Sequence, residues 1–422
     1  MGGSHALPTL AVVLLLLIVL VGLRVIVSRN IFIRKSFIAL IFFFLYLTFK
    51  ICVDIGDITV LKDYTIGSTG GILLFYFIGV LINIVFDRVS SLTATSGRYF
   101  ALALFLSGIY LLSSAYFVYK AYGEFSEQLR DDIFLISGPE TGLYQRPGAF
   151  LTISSLLLSF TYINLLLNAH KRNFLYKTFL FIYVCIFIVV LLSSMLFAQM
   201  IGSNSAFICI GCLLVVSLIF SIFILFPKVE CMLRSNVIRF KDIISRRVLK
   251  KFVFSALIGL IVFIGILILV MKSFDIEPEK LRIMNYGNTE IGAMDSRLEL
   301  LSNFITHLDY SPITPFVGNM RVDELTTGKG TYVHSFLASI LTHLGIIGVI
   351  MILLFILFSL EELFDKSSGL YKNGMKIYKA LLFFIFFIIT IGATFFTWVP
   401  IWFLMGLFFL PISLYINNKR FI

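Results

Sequence analysis

The sequence predicts an all-α, polytopic transmembrane bundle of about 11 spans, roughly 10–12 at the limits, with a partly helical large outward loop. Three observations predict it. Hydrophobic residues make up 59% of the chain and charged residues 14%, with a mean hydropathy of +1.01. The apolar residues recur in runs of about 17–25, the length that crosses about 30 Å of hydrocarbon. The junctions between runs alternate between basic and acidic.

A soluble domain has roughly 45–50% apolar and about 25% charged residues, so this 422-residue chain lies outside that class. Its net charge of +11 does not mark a nucleic-acid protein, because the cations sit in short clusters between apolar runs without aromatic platforms. Cys52, Cys185, Cys209, Cys212 and Cys231 fall in apolar runs or a basic loop, so no disulfide and no metal site are expected. Cys209 and Cys212 have the spacing of a metal knuckle, but without a second pair they read as core. The first apolar run has no basic region before it and is too long for a signal peptide, so it reads as a retained helix.

In order, spans are expected near 7–27, 37–53, 69–86, 99–119, 148–168, 178–199, 206–226, 252–271, 332–358, 378–396 and 399–417, as one integral membrane domain over 1–422. Most of the 34 Lys and Arg lie in one set of junctions: Arg24 to Lys35, Arg88 to Arg98, Lys171 to Lys177, Lys228 to Lys251, Lys366 to Lys379, and Lys419-Arg420. The alternate set, Asp54 to Asp63, Glu124 to Arg146 and Asp275 to Lys329, is richer in acids. Lys50 stands apart, near the end of the second span. Cations concentrate in cytoplasmic loops, so the first set faces the cytoplasm and the second faces outward, with the N-terminus outside.

Two outward segments are long, 120–147 and 272–331. Segment 298–305 (Leu-Glu-Leu-Leu-Ser-Asn-Phe-Ile) reads as a short amphipathic helix, and the larger loop is expected to fold against the membrane face. No internal repeat is visible, which argues against a transporter. Trp398 and Trp402 flank Pro400 where interfacial aromatics are expected, and Gly345 and Gly348 form a Gly-x-x-Gly that permits close helix packing.

Candidates for chemistry lie at the outward ends. Arg146 stands in Tyr-Gln-Arg146-Pro-Gly, Arg297 in Asp-Ser-Arg297-Leu-Glu, and His334 in Tyr-Val-His334-Ser-Phe-Leu. The short turn Gly202-Ser203-Asn204-Ser205 joins the sixth and seventh spans at the same depth. Guanidiniums keep their charge and present a planar fork to phosphate oxygens. A histidine near them can take a proton from a sugar hydroxyl. Taken singly, such an arginine is more often an interfacial anchor and such a histidine a packing residue. Arg321 and His307 are weaker loop candidates. His343, nine residues beyond His334, falls about 900° around a helix and so on the opposite face, as a packed or hydrogen-bonded residue.

Segment 295–348 runs Ser296-Arg297-Leu298-Glu299, Thr314-Pro315-Phe316-Val317-Gly318, His334-Ser335-Phe336-Leu337, then Gly345-Ile346-Ile347-Gly348. In that order it resembles the shared signature of the O-antigen polymerase and O-antigen ligase superfamily. Arg146-Pro147-Gly148 is similar to that family's Arg-x-Gly-x-Phe before a span. One departure is Asn204, where members commonly carry an arginine in Ser-Arg-x-Ala. Asn204 can donate a hydrogen bond but adds no charge, so Arg146, Arg297 or Arg321 must supply it.

The resemblance implies a metal-independent bacterial glycosyltransferase of the inner membrane, with its site facing the periplasm and no cofactor. Its donor would be an undecaprenyl-diphosphate-linked oligosaccharide. Arg146 and Arg297 would hold the pyrophosphate and His334 would serve the acceptor hydroxyl, with Arg297 acting in both capacities. Within the family the polymerase reading is favoured by 46 phenylalanines, Asn204 and the compact Tyr-Val-His-Ser start. That reading brings a polysaccharide chain-length regulator as a partner. The alternatives are an O-antigen ligase acting on lipid A-core and, from another class, a lipid-linked oligosaccharide flippase. A flippase would need ionisable residues at mid-membrane depth, where these spans are nearly charge-free.

Overall fold

The computed structural model describes residues 31–55, 71–91, 107, 109, 145–168, 174–200, 203–225, scattered positions between 254 and 272, 313–321, 335–364, 370–393, 396–408, 412–416 and 419–421. Among them the frame is helical. The helices are α1 (Lys35–Ile55), α2 (Gly71–Ser91), α3 (Gln145–Asn168), α4 (Phe174–Met200), α5 (Asn204–Leu225), the single turn α6 (Thr314–Val317), α7 (Phe336–Phe364), α8 (Leu370–Ala393) and α9 (Val399–Phe408). Five of them, α1, α3, α4, α5 and α7, are long and apolar enough to cross a membrane. The expected spans 7–27 and 99–119 lie wholly or almost wholly outside the described residues, as do the loop 120–144 and the amphipathic segment 298–305. The described positions of the 252–271 span are helical.

The last span departs from the expected 399–417. Its helix is described to Phe408, and Ile412–Ile416 forms strand β2. The reason is local: Pro411 lacks an N–H and disfavours helical backbone at Leu410, and a β-prone Ile-Ser-Leu-Tyr-Ile follows. Strand β2 pairs antiparallel with β1 (Ile31–Ile33) and with β3 (Lys419–Phe421), in the order β1-β2-β3. Phe32 stands opposite Ser413, and Tyr415 opposite Arg420. The junction before α1 and the C-terminal tail therefore meet.

The chain divides into two compact units. The first comprises 1–91, 294–367 and 386–422; the second comprises 92–293 and 368–385. In the first, α1 packs on α7 and α2 on α9. The α2–α9 crossing is tight: a Cβ at Gly406 would fall on the Tyr76 carbonyl, and one at Gly79 on the Phe403 carbonyl. Trp402 is not an interfacial aromatic. It is fully buried, with its ring 5.6 Å from those of Phe43 and Phe44, and its indole N–H donates to the Phe396 carbonyl at 2.6 Å. Placed in the first turn of α9, it packs its ring on α1, and its polar edge bonds back to the chain just before its own helix.

In the second unit α3, α4 and α5 pack together. Apolar packing alone distinguishes helices poorly in lipid, and hydroxyls supply the specific contacts. Ser159 of α3, Ser217 of α5 and Tyr378 of α8 form a buried cluster, with Ser217 Oγ 2.8 Å from both Ser159 Oγ and Tyr378 OH. A turn further along α3, Tyr162 OH meets Ser221 at 2.7 Å, and its ring stacks on Phe187 at 4.2 Å.

Gly406→Ala should force α2 and α9 apart at a cost of about 1–3 kcal/mol. The check is a lower melting temperature of the purified protein in detergent, with Gly71→Ala, where an added Cβ meets nothing, as the unaffected control.

Candidate functional site

Two of the motifs singled out in the sequence meet in the first unit. Helix α7 begins after Ser335, whose Oγ accepts the Ala338 N–H at 3.4 Å as an N-cap. It runs to Leu344 and then breaks, because Gly345 has φ +67° and ψ −170°. Gly318, at the end of Thr314-Pro315-Phe316-Val317-Gly318, has φ +70° and ψ −179°. Only glycine occupies that region readily. The two glycines lie against each other: a Cβ on Gly345 would strike the backbone of Phe316 and Gly318, and one on Gly318 would strike His343, Leu344 and Gly345. Gly345 is nine residues into α7, so the turn enters about 13 Å below the start of that helix. The ninth span expected near 332–358 is present as the long apolar helix α7, with a bend at Gly345. That glycine serves a bend that admits the Thr314–Gly318 turn, where the sequence suggested close helix packing.

Irregular backbone at that depth persists only where its polar groups find protein partners. The Thr342 and Leu344 carbonyls at the break find partners. The Asn319 N–H donates to the Thr342 carbonyl at 3.0 Å. Tyr46 OH of α1 reaches both the Val317 carbonyl (2.8 Å) and the Leu344 carbonyl (3.1 Å). Lys50 Nζ donates to the Gly318 carbonyl at 3.0 Å and pairs with Asp54, 2.8 Å from Oδ2 and 2.9 Å from Oδ1. Asp54 Oδ2 accepts the Met320 N–H at 2.9 Å. The Lys50 and Asp54 side chains are 8% and 13% exposed, so this is a largely buried ion pair that holds the turn at Gly318 and Met320.

Asn319 Oδ1 accepts the Arg321 N–H at 2.8 Å, and Arg321 is exposed. Met320 is buried at 2%. His343 is buried and hydrogen-bonded, as expected, with Nδ1 2.9 Å from the Ser339 carbonyl and 2.8 Å from Thr342 Oγ1. The reason differs from the one given by helix phase, because α7 starts at Phe336 and His334 precedes its cap. His334, Arg297 and His307 lie outside the described residues.

The other two motifs meet in the second unit. Arg146 falls in the first turn of α3, and its side chain lies outside the description. Gly148, two residues on, packs against Ser203, whose Oγ a Cβ at Gly148 would overlap. Ser203 is buried and caps α5, with its Oγ accepting the Ala206 N–H at 3.4 Å. Asn204 opens α5, and its Oδ1 accepts a hydrogen bond from Gln199 Nε2 at 3.4 Å. The starts of α3 and α5 therefore stand side by side. Helix N-termini carry partial positive charge, so an arginine in the first turn there opposes the dipole unless an anion joins it.

The sequence reading missed Lys50 and Asp54 as a pair. Their i, i+4 spacing at the end of an apolar span was the available signal, since ionisable residues within a span seldom lie there without a partner. No protein-family model, curated protein or solved structure matches the chain.

Removing one partner of the buried pair should be strongly destabilising. Lys50→Met and Asp54→Leu are each expected to cost about 3–5 kcal/mol, and the double variant clearly less than their sum. Denaturation of the four proteins measures this. Gly345→Ala should cost about 1–3 kcal/mol by strain alone, read as a lower melting temperature.

Proposed function

We propose that this chain is an O-antigen polymerase of the bacterial inner membrane. It would transfer a growing glycan from undecaprenyl diphosphate onto a lipid-linked repeat unit at the periplasmic face. The observation that carries the reading is the pairing of its motif segments. Gly148, two residues after Arg146, packs on Ser203, and Thr314–Gly318, three residues before Arg321, packs into the bend of α7 nine residues after its start. Segments far apart in sequence and expected to serve one chemistry are thus joined in two pairs.

On this reading the chemistry follows from the residue types. The acceptor hydroxyl oxygen attacks the anomeric carbon, the bond from that carbon to the diphosphate oxygen breaks, and the hydroxyl proton passes to His334. Arg146 and Arg297, with Arg321 as a further cation, meet the charge that develops on the leaving diphosphate. The neighbouring N-termini of α3 and α5 favour the same anion. Asn204 would contribute a hydrogen bond without charge. No metal is required, because the arginines neutralise the leaving group.

Reconstitution of the purified protein with lipid-linked repeat units tests the proposal: polymer should form without any lipid A-core acceptor. Polymer-free product that appears only when core is added would identify a ligase instead. His334→Ala should lower polymer yield about 10²–10⁴-fold, as loss of a general base does. Arg146→Ala and Arg297→Ala should each lengthen reaction times comparably. Unchanged lipopolysaccharide ladders at normal expression would remove these residues from the mechanism.

A further inference from the structure

The first unit contains a second feature, remote from the re-entrant turn and independent of the enzymatic reading. A cavity of about 410 Å³ lies between the first turns of α1 and the last half of α7, lined by Lys35, Ile38, Ala39, Phe42, Met351, Leu354 and Phe358. All but Lys35 are apolar, and the groove is open: Phe42 is 57% and Ile38 46% exposed. Its size lies within the roughly 300–1,000 Å³ of small-molecule sites. Lys35 stands at one end, with its ammonium 6.0 Å from the centroid of the Phe358 ring. Glu361 is 4.0 Å away, the outer limit of an ion pair, and both side chains are largely exposed, at 70% and 66%. Screening by water leaves such a contact weak, so the ammonium remains available to another anion.

Arg34 adjoins Lys35 in sequence on the α1 side of that end, and α7 brings Glu361 to the other side. We infer that this groove is a binding site for an anionic glycerophospholipid, with one acyl chain lying between Phe42 and Leu354 and the headgroup phosphate on Lys35. The groove is almost wholly apolar, which suits an acyl chain and excludes a sugar or nucleotide. The cation at its rim selects among lipids by headgroup charge. Basic segments beside a span attract anionic lipids in the same manner.

The test uses the full-length protein extracted from vesicles containing equal phosphatidylglycerol and phosphatidylcholine with matched acyl chains, with retained lipid measured by native mass spectrometry. Phosphatidylglycerol should be enriched about fivefold, the value of one cation near the surface. Lys35→Ala should abolish the enrichment and Lys35→Arg should preserve it. Ala39→Phe, which occupies the groove, should lower retention of both lipids while the melting temperature stays near that of the parent. Raised salt should diminish the enrichment. Equal retention of the two lipids by the unaltered protein, or enrichment that survives both Lys35→Ala and Ala39→Phe, would overturn the proposal.

Discussion

Lys50 and Asp54 are one turn apart on α1 and together hold a piece of chain more than 260 residues away in sequence. An ammonium and a carboxylate withdrawn from water cost several kcal/mol each, and the pair persists because every contact is used. The ammonium donates to both Asp54 and the Gly318 carbonyl, while the carboxylate also accepts the Met320 N–H. The grip fixes the position of Thr314–Gly318 against α1, and with it that of the exposed Arg321. Tyr46, one turn earlier on the same helix, ties the turn to the bend of α7 through two carbonyls. Three residues at i, i+4 and i+8 therefore present one polar stripe along the second half of α1.

The bend in α7 is the complementary requirement. A straight helix would leave no room for Gly318, and any side chain at Gly345 would displace the turn. Breaking the helix exposes the Thr342 and Leu344 carbonyls, which in lipid would be unsupportable without donors. The turn and α1 supply those donors, so each irregularity satisfies the other. His343 and Ser339 stabilise the segment just before the break, Ser339 Oγ accepting the Phe396 N–H and linking α7 to the chain that enters α9.

Much of this was legible in the sequence, and the reasons for the remainder are physical. Hydropathy marks α1, α3, α4, α5 and α7 because length and composition alone define a span. The end of the last helix was overrun because apolar strand residues after Pro411 look, by hydropathy, like continued span. Gly345 was noticed, but a glycine in an apolar run has two readings, close packing or a bend, and only the partner segment decides between them. Trp402 was misjudged since an aromatic near a span end can belong to the interface or to the core. The meetings of Gly148 with Ser203 and of Gly318 with Gly345 depend on chain topology, which no local pattern encodes.

The central claim is that the Lys50–Asp54 pair holds the re-entrant turn, and water-soluble maleimide labelling of single cysteines tests it most directly. With native cysteines replaced by serine, Arg321→Cys should label readily and Met320→Cys, at a position 2% exposed, should stay protected. Adding Lys50→Met should render Met320→Cys reactive while leaving Arg321→Cys unchanged. Ready labelling of Met320→Cys in the presence of the intact pair, or continued protection once Lys50 is removed, would contradict the account.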